Sequence, residues 1–275
     1  MNKEDLVSVI MPTYNAGKYL ADSMNSILNQ TYKNLELLIT DDASTDPTTL
    51  QLLKEYASKD ERVNILYLKE NHGAGYARNK SIERAKGRYI AFCDSDDRWT
   101  TDKLEKQIAF MNKKKCALSC ASYIIFDGET QNEIGFCTAP KKITYGMMKR
   151  DNKVGCLTAI YDVQMLGRKF FMPTIRKRQD WALFLQIIRE CKVCYAYPDK
   201  PLAYYCMRRN SISSNKMSLM KYNIAVYKEI LGFHPIKANL YFFTLFLPTY
   251  GAKILKRKFD SYTFTHRKYV FFISD

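Results

Sequence analysis

Histidine is scarce in this chain, at three widely separated residues, His72, His234 and His266. A closed zinc site wants four ligands. The pair Cys191 and Cys194 has the right Cys-x-x-Cys spacing but no second pair to complete it. The eight cysteines lie mostly in apolar strings such as Ala91-Phe92-Cys93 and Leu118-Ser119-Cys120-Ala121, and read as buried thiols. No secretory signal is legible at the start, where Met1-Asn2-Lys3-Glu4-Asp5 runs straight into a strand-like string. A reducing cytoplasm is therefore the expected location.

Long apolar runs are missing too. A membrane span needs about 20 consecutive apolar residues, and the best stretch, 238–255, is interrupted by Pro248, Gly251 and Lys253. Its aromatics precede Lys253, Lys256, Arg257 and Lys258, which leaves two readings open. The segment lies peripherally on an anionic bilayer, at the inner face of the plasma membrane, or it packs on the protein and shows a solvated basic face. No Gly-Lys-Ser/Thr string marks a Walker loop, and the full dinucleotide fingerprint is absent, which argues against a nicotinamide enzyme. Neither RNP-type aromatic strings nor zinc-finger spacing occur, so no nucleic-acid partner is expected. No internal repeat is apparent.

What is present is ordinary globular material: 275 residues, 47% hydrophobic and 26% charged. The net charge of +15 is unevenly spread. Residues 1–110 carry 15 Lys and Arg against 17 Asp and Glu, and residues 111–275 carry 28 against 11. Such asymmetry points the second part toward a polyanionic partner: a phosphate-bearing ligand, an anionic membrane or nucleic acid.

Strand-like and helix-like strings alternate through the first half. Strands are expected over 6–11, 35–40, 63–68 and 89–93. Between them Tyr19, Leu20, Met24, Ile27 and Leu28 mark one helical face, Leu50, Leu53 and Tyr56 another, and Ala77, Ile82 and Ala85 a third. A fourth carries Leu104, Ile108 and Met111. That order predicts an α/β fold with a mostly parallel sheet flanked by helices. Ligands of such sheets bind beyond the carboxyl ends of the strands. Four polar clusters fall there: Thr13-Tyr14-Asn15, Asp41-Asp42, Asn71 to Arg78, and Asp94 to Asp97. Further on, 117–126 reads as one strand, 127–155 as polar and turn-rich, 181–188 as a helix, 202–207 as a strand and 208–216 as a basic loop.

Each cluster has a chemical and a plain reading. Asp94, Asp96 and Asp97 repel one another and suit a hard divalent cation, Mn²⁺ or Mg²⁺, bridging ligand phosphates, or they form a solvated acidic turn. Asp41 and Asp42 build a turn, or accept from a base or ribose. The glycines at 73 and 75 open a helix whose amide N–H groups suit an anion.

In this order and spacing, VSVIMPTYNAGKYL, ELLITDDASTD, NHGAGYARNKSIERAKGRYIAFCDSDDRW and DKLEKQ resemble the family 2 glycosyltransferases of the GT-A fold. The resemblance covers 5–110 closely and is traceable to about 216. It implies a nucleotide-sugar domain over 1–216, with a nucleotide-binding half at 5–110 and an acceptor half at 111–216, and a basic, aromatic extension over 217–275. It implies that Pro12, Thr13 and Tyr14 line the base pocket, that Asp42 reads the base, and that Arg78 lies near the nucleotide. Asp96 matches the direct metal ligand and Asp94 a ribose or sugar contact. The acidic base of the family falls on Asp180 in Arg178-Gln179-Asp180-Trp181, where Gln179 replaces the usual Glu. Arg208, Arg209 and Lys216 match the region that meets the pyrophosphate.

The activity so implied is inverting transfer of a sugar, usually from uridine diphosphate, to a hydroxyl of a saccharide or lipid-linked saccharide in cell-surface polysaccharide synthesis. A nucleotidyltransferase and a nucleic-acid-binding protein are the alternatives. The first needs no base at Asp180, and the second would show binding that falls steeply with salt.

Overall fold

The computed structural model describes residues 5–208 and 216–271. Arg209 lies outside them, and Lys216 opens a helix. The first half is the expected alternation: β1 Val7–Thr13, α1 Tyr19–Leu28, β2 Leu35–Asp41, α2 Pro47–Lys59, β3 Val63–Tyr67, α3 Ala74–Arg84, β4 Tyr89–Phe92. A two-residue strand β5, Arg98–Trp99, precedes α4 Lys103–Lys114. Strand β1 runs past Pro12, where the sequence reading ended it. Pro12 pairs with Thr40 of β2, while the pairing with β4 ends at Ile10. A missing N–H is tolerated where only one side has a neighbour.

The stretch 117–126 is two strands, not one. β6 Leu118–Ala121 joins the large sheet, and β7 Tyr123–Asp127 turns into a second, four-stranded sheet. The turn-rich stretch also holds structure that its composition concealed: β8 Glu133–Cys137, β9 Lys142–Thr144 and α5 Tyr145–Arg150. Then come β10 Ile160–Asp162, α6 Val163–Leu166, α7 Gln179–Cys191, β11 Val193–Tyr197 and β12 Ala203–Met207. The large sheet has the order β3-β2-β1-β4-β10-β6-β11-β9 and the small one β5-β12-β7-β8. β10 runs against both of its neighbours and β9 against β11, and the other pairings of the large sheet are parallel.

Strand alternation divides the core. Val7, Val9 and Met11 pack with Leu20, Met24 and Ile27 of α1 and Leu104 and Ile108 of α4. Ile10, Ile90 and Phe92 face the other way, onto Ile82 of α3 and the wholly buried side of α7 around Trp181 and Phe184. α7 is thereby sandwiched, because the C-terminal segment covers its far side. That segment comprises α8 Lys216–Ala225, a wide π-helical turn Val226–Ile230, α9 Pro235–Tyr241, a second π turn Phe242–Phe246, and α10 Leu247–Phe271. Tyr227, Phe242 and Phe246 are buried in the Trp181 cluster, with Trp181 and Phe246 rings 5.5 Å apart. The packed reading of 238–255 is thus correct for this inner face.

Candidate active site

Four loops at the carboxyl ends of β1, β2, β3 and β4 meet on one rim. Thr13 ends β1, and its carbonyl accepts from the Asp42 amide at 2.8 Å. The Thr13 hydroxyl is buried without a partner. Buried polar atoms are normally satisfied, so this one suits a ligand. Tyr14 beyond it is 52% exposed. Asn15 adopts φ 45° and its side-chain oxygen accepts from the Thr45 and Asp46 amides, at 2.9 and 3.0 Å. That clamps the β1 loop onto the β2 loop, which Asp46 closes by capping α2 through the Thr49 amide.

Asp42 is buried, and both carboxylate oxygens are in use. One accepts from the His72 amide at 2.9 Å and the other from the Gly73 amide at 2.7 Å. Asp42 therefore builds the mouth of α3, a role not foreseen from sequence. A carboxylate has about four acceptor sites, which leaves capacity for a base N–H.

Arg78 sits one turn into α3 and is buried, with its Nη2 2.5 Å from Asp94 Oδ1 and its Nε unpartnered. Burial opposes its charge, but Asp94 first and Asp180 further out more than offset that, so the guanidinium stays firmly protonated. The three aspartates separate in role. Asp94 pairs with Arg78, Asp96 forms an ion pair with Arg208, and Asp97 turns inward to accept from the Cys206 amide at 2.9 Å. Burial, then repulsion from Asp94, pushes the Asp96 carboxyl up, against the pull of Arg208. Burial and both neighbours push Asp97 up further. The three-carboxylate reading is thus corrected: Asp97 is a structural strut. No group of three or more His, Cys, Asp or Glu suited to an ion occurs among the described residues.

Asp94 and Asp96 remain as oxygen donors on one rim. A hard cation that draws its other ligands from phosphates fits such a sparse set. Such a cation would neutralise charge on a departing diphosphate.

Asp180 is the second residue of α7, and its Oδ2 accepts from Asn152 Nδ2 at 2.8 Å. Arg178 before it adopts φ 69° and the adjacent Gln179 reaches across to α3. A Cβ built on Gly75 would lie 2.3 Å from the Gln179 side chain. The glycine thus makes room for Gln179, and the starts of α3 and α7 meet there. Asn152 and Gln179 were not singled out from sequence. In the sequence Gln179 stands out only for replacing a Glu, and Asn152 lies in a stretch with no legible pattern.

A large, mostly parallel sheet flanked by helices, with its polar loops gathered at the carboxyl ends of β1 to β4, is the architecture of the GT-A glycosyltransferases. The chain belongs to glycosyl transferase family 2, whose model matches residues 8–171. It is 43% identical over 238 residues to the "Putative teichuronic acid biosynthesis glycosyltransferase TuaG" of Bacillus subtilis, covering 86% of this chain and 93% of that protein. It is 38% identical over 216 residues to the Escherichia coli "UDP-Glc:alpha-D-GlcNAc-diphosphoundecaprenol beta-1,3-glucosyltransferase WfgD", covering 78% and 83%. In fold it resembles Staphylococcus aureus TarS residues 1–349 with UDP-GlcNAc, at TM-score 0.65 and 22% identity over 86% of this chain and 70% of that one. It also resembles a Pyrobaculum calidifontis mannosyltransferase bound to GDP-Man and Mn²⁺, at TM-score 0.62 and 16% identity, over 98% and 81%.

Proposed function

We propose that this glycosyltransferase moves a sugar from a uridine-diphosphate donor to a hydroxyl of a lipid-linked saccharide, with inversion, in cell-surface polysaccharide synthesis. The observation that carries the reading is the packing of the α7 start on the α3 start, Gln179 against Gly75, with Asp180 next to Gln179 and Arg78, paired with Asp94, one turn into α3. It sets a proton acceptor beside the rim where a donor's sugar would lie. The names of TuaG and WfgD support the polysaccharide setting and the lipid-linked acceptor. In this reading Pro12, Thr13, Tyr14 and Asp42 hold the base, with Tyr14 stacked on it. Arg78 and Asp94 meet the ribose and sugar, Arg208 meets the pyrophosphate, and Asp96 holds a divalent cation.

The chemistry is a single displacement. Asp180 takes the proton of the acceptor hydroxyl as its oxygen bonds to the anomeric carbon. The bond from that carbon to the diphosphate oxygen breaks on the opposite side, and the electron pair leaves with the diphosphate. Arg208 and Arg78 stabilise the charge that develops there. Function at the cytoplasmic membrane face, with peripheral contact to anionic lipid, completes the reading. A release assay over a panel of nucleotide sugars, with and without Mn²⁺, tests it. Release of uridine diphosphate only with a lipid-linked saccharide present is expected. Release from none of the panel would overturn it.

A further inference from the structure

The outer side of the C-terminal segment is more apolar than a solvated helix should be. From Pro235 to Phe271 the chain is helical throughout, with the π turn Phe242–Phe246 set into it. Its inner face is Ala238, Phe242 and Phe246, all buried. Further along, Lys253 Nζ reaches Asp151 at 3.0 Å, Asp260 accepts from Thr138 at 2.7 Å, and Phe264 stacks on Phe136 at 5.5 Å. One face is therefore fastened along its length. The opposite side carries Ile236, Leu240, Phe243 and Leu247, at steps of four, three and four, then Leu255, Phe259 and Tyr262 at four and three. Ile236 is 75% exposed, Leu255 69% and Phe259 67%. Gly251 lies midway, four residues from Leu247 and four from Leu255. A helix with one face buried is normally polar on the other, and an exposed apolar stripe of this length marks a contact.

The charge beside the stripe decides what it contacts. Lys237, Lys256, Arg257 and Lys258 are exposed, and the acidic Asp260 is engaged with Thr138. At about 100° per residue, Lys256 and Lys258 fall on either side of the Leu255–Phe259 line. Cations flanking a buried apolar edge are the pattern of a helix lying in a lipid interface, where their stems run along the acyl boundary and their heads reach phosphate. No helix of the described residues is long and apolar enough to cross a membrane.

We propose that this stripe is a docking edge, which seats the helix in the plane of an anionic lipid bilayer. It gives the membrane contact of the proposed function a surface, and rests on that reading for its use though not for its existence. The fastening also reaches the site. Lys253 Nζ donates to the Asn152 carbonyl at 2.5 Å, and the Asn152 side chain donates to Asp180. Seating the helix on lipid thus sets the height of Asp180 above the bilayer, where the saccharide of a lipid-linked acceptor projects.

The test is co-sedimentation of the full chain with phosphatidylcholine vesicles, with and without phosphatidylglycerol. Binding is expected only with phosphatidylglycerol present, and it should weaken as salt rises. Leu255→Glu with Phe259→Glu should cut partitioning about tenfold or more. Gly251→Leu should raise it, since nothing lies within 4 Å of a Cβ placed there and leucine is the better helix former. Transfer to a water-soluble, short-chain analogue of the lipid-linked saccharide should be unchanged in all three proteins, so a failed docking idea is separable from a failed assignment of the reaction. Absence of binding by the wild-type chain, or equal partitioning of wild type and both variants, would overturn the proposal. So would a dimer that dissolves in the glutamate variant without any vesicle binding, because the stripe would then belong to a second copy.

Discussion

Asn152 donates its side-chain amide to Asp180 at 2.8 Å, across 28 residues of sequence. That bond orients one carboxylate oxygen, and among the described residues no hydrogen bond occupies the other, which is the one proposed to take a proton. Asp180→Asn should retain donor binding and lose about 10²–10⁴-fold in kcat, the usual worth of a general base. If Asp180 only starts α7, the cost is instead about 1 kcal/mol of stability with normal turnover. Melting temperature and single-turnover rate, measured on one preparation, separate the two. Asn152→Ala should lower kcat less than Asp180→Asn does, with donor KM unchanged.

The double use of Asp42 gives a second prediction. A side chain that only reads the base would, when removed, raise donor KM more than it lowers kcat. Asp42 also holds the His72 and Gly73 amides at the mouth of α3. Asp42→Ala should therefore raise KM and lower the melting temperature together, since the His72 and Gly73 amides lose their partner and the mouth of α3 its clamp. Asp42→Asn keeps one acceptor oxygen and should fall between. A collapsed kcat with unchanged KM would remove Asp42 from the base pocket.

Lys103 offers a pH test of the core. It is wholly buried, its Nζ has no hydrogen-bond partner, and it lies 4.2 Å from the Trp99 ring centre. Burial pushes the ammonium down from 10.5 to about 7. Between those values the unfolded chain binds the proton and the folded chain releases it, so stability rises with pH across that window. Below about pH 7 both states hold the proton and the penalty is constant and largest. Lys103→Met should thus melt about 3 °C or more above wild type at pH 6, with the gap closing toward pH 10. A gap independent of pH would show that Lys103 stays charged when folded.

The first half was legible because each strand there is a short apolar run ended by a polar cluster, and each helix has a regular apolar face. Leu20, Met24, Ile27 and Leu28 all point inward as their spacing required. The second half resisted for physical reasons. Residues 117–126 are apolar but for Ser119 and Ser122, since β6 and β7 are both largely buried, and a lone serine is too weak a break to mark the switch between sheets at Ser122. Strands β8 and β9 sit in polar stretches and owe their order to pairing with β7 and β11. The rim residues were readable one by one, but their partners were not. Arg78 with Asp94 spans 16 residues and Asn152 with Asp180 spans 28, distances no local pattern encodes.

Gly75 and Gln179 should be coupled. Gly75→Ala places a methyl where the Gln179 amide now lies. The far end of a flexible side chain can move aside, and alanine is the better helix former by about 1 kcal/mol, so stability should change little. The effect should appear in kcat, because Gln179 is joined to Asp180. In a Gln179→Ala background the same substitution should be silent. Additive effects in that double-mutant cycle would mean that the two helix starts act independently.

The ion pair of Asp96 with Arg208 makes a prediction in two opposite directions. A divalent cation reaching Asp96 must displace the guanidinium, so in the absence of donor Arg208 competes with the metal. Arg208→Ala should therefore tighten Mn²⁺ binding to the free protein, measured by titration calorimetry. With donor present, the freed Arg208 would meet the pyrophosphate, and its loss should weaken binding of uridine diphosphate. Contacts to a charged group of this kind are worth about 1.5–3 kcal/mol, which is roughly tenfold to a hundredfold in donor affinity. Asp96→Asn should abolish Mn²⁺ binding while the fold survives, as Asp97 and not Asp96 ties this loop to β12. Opposite shifts in Arg208→Ala would identify one arginine that exchanges Asp96 for the donor. Loss of both affinities would instead show that Arg208 holds Asp96 in place for the metal, and unchanged values in both would remove it from the site.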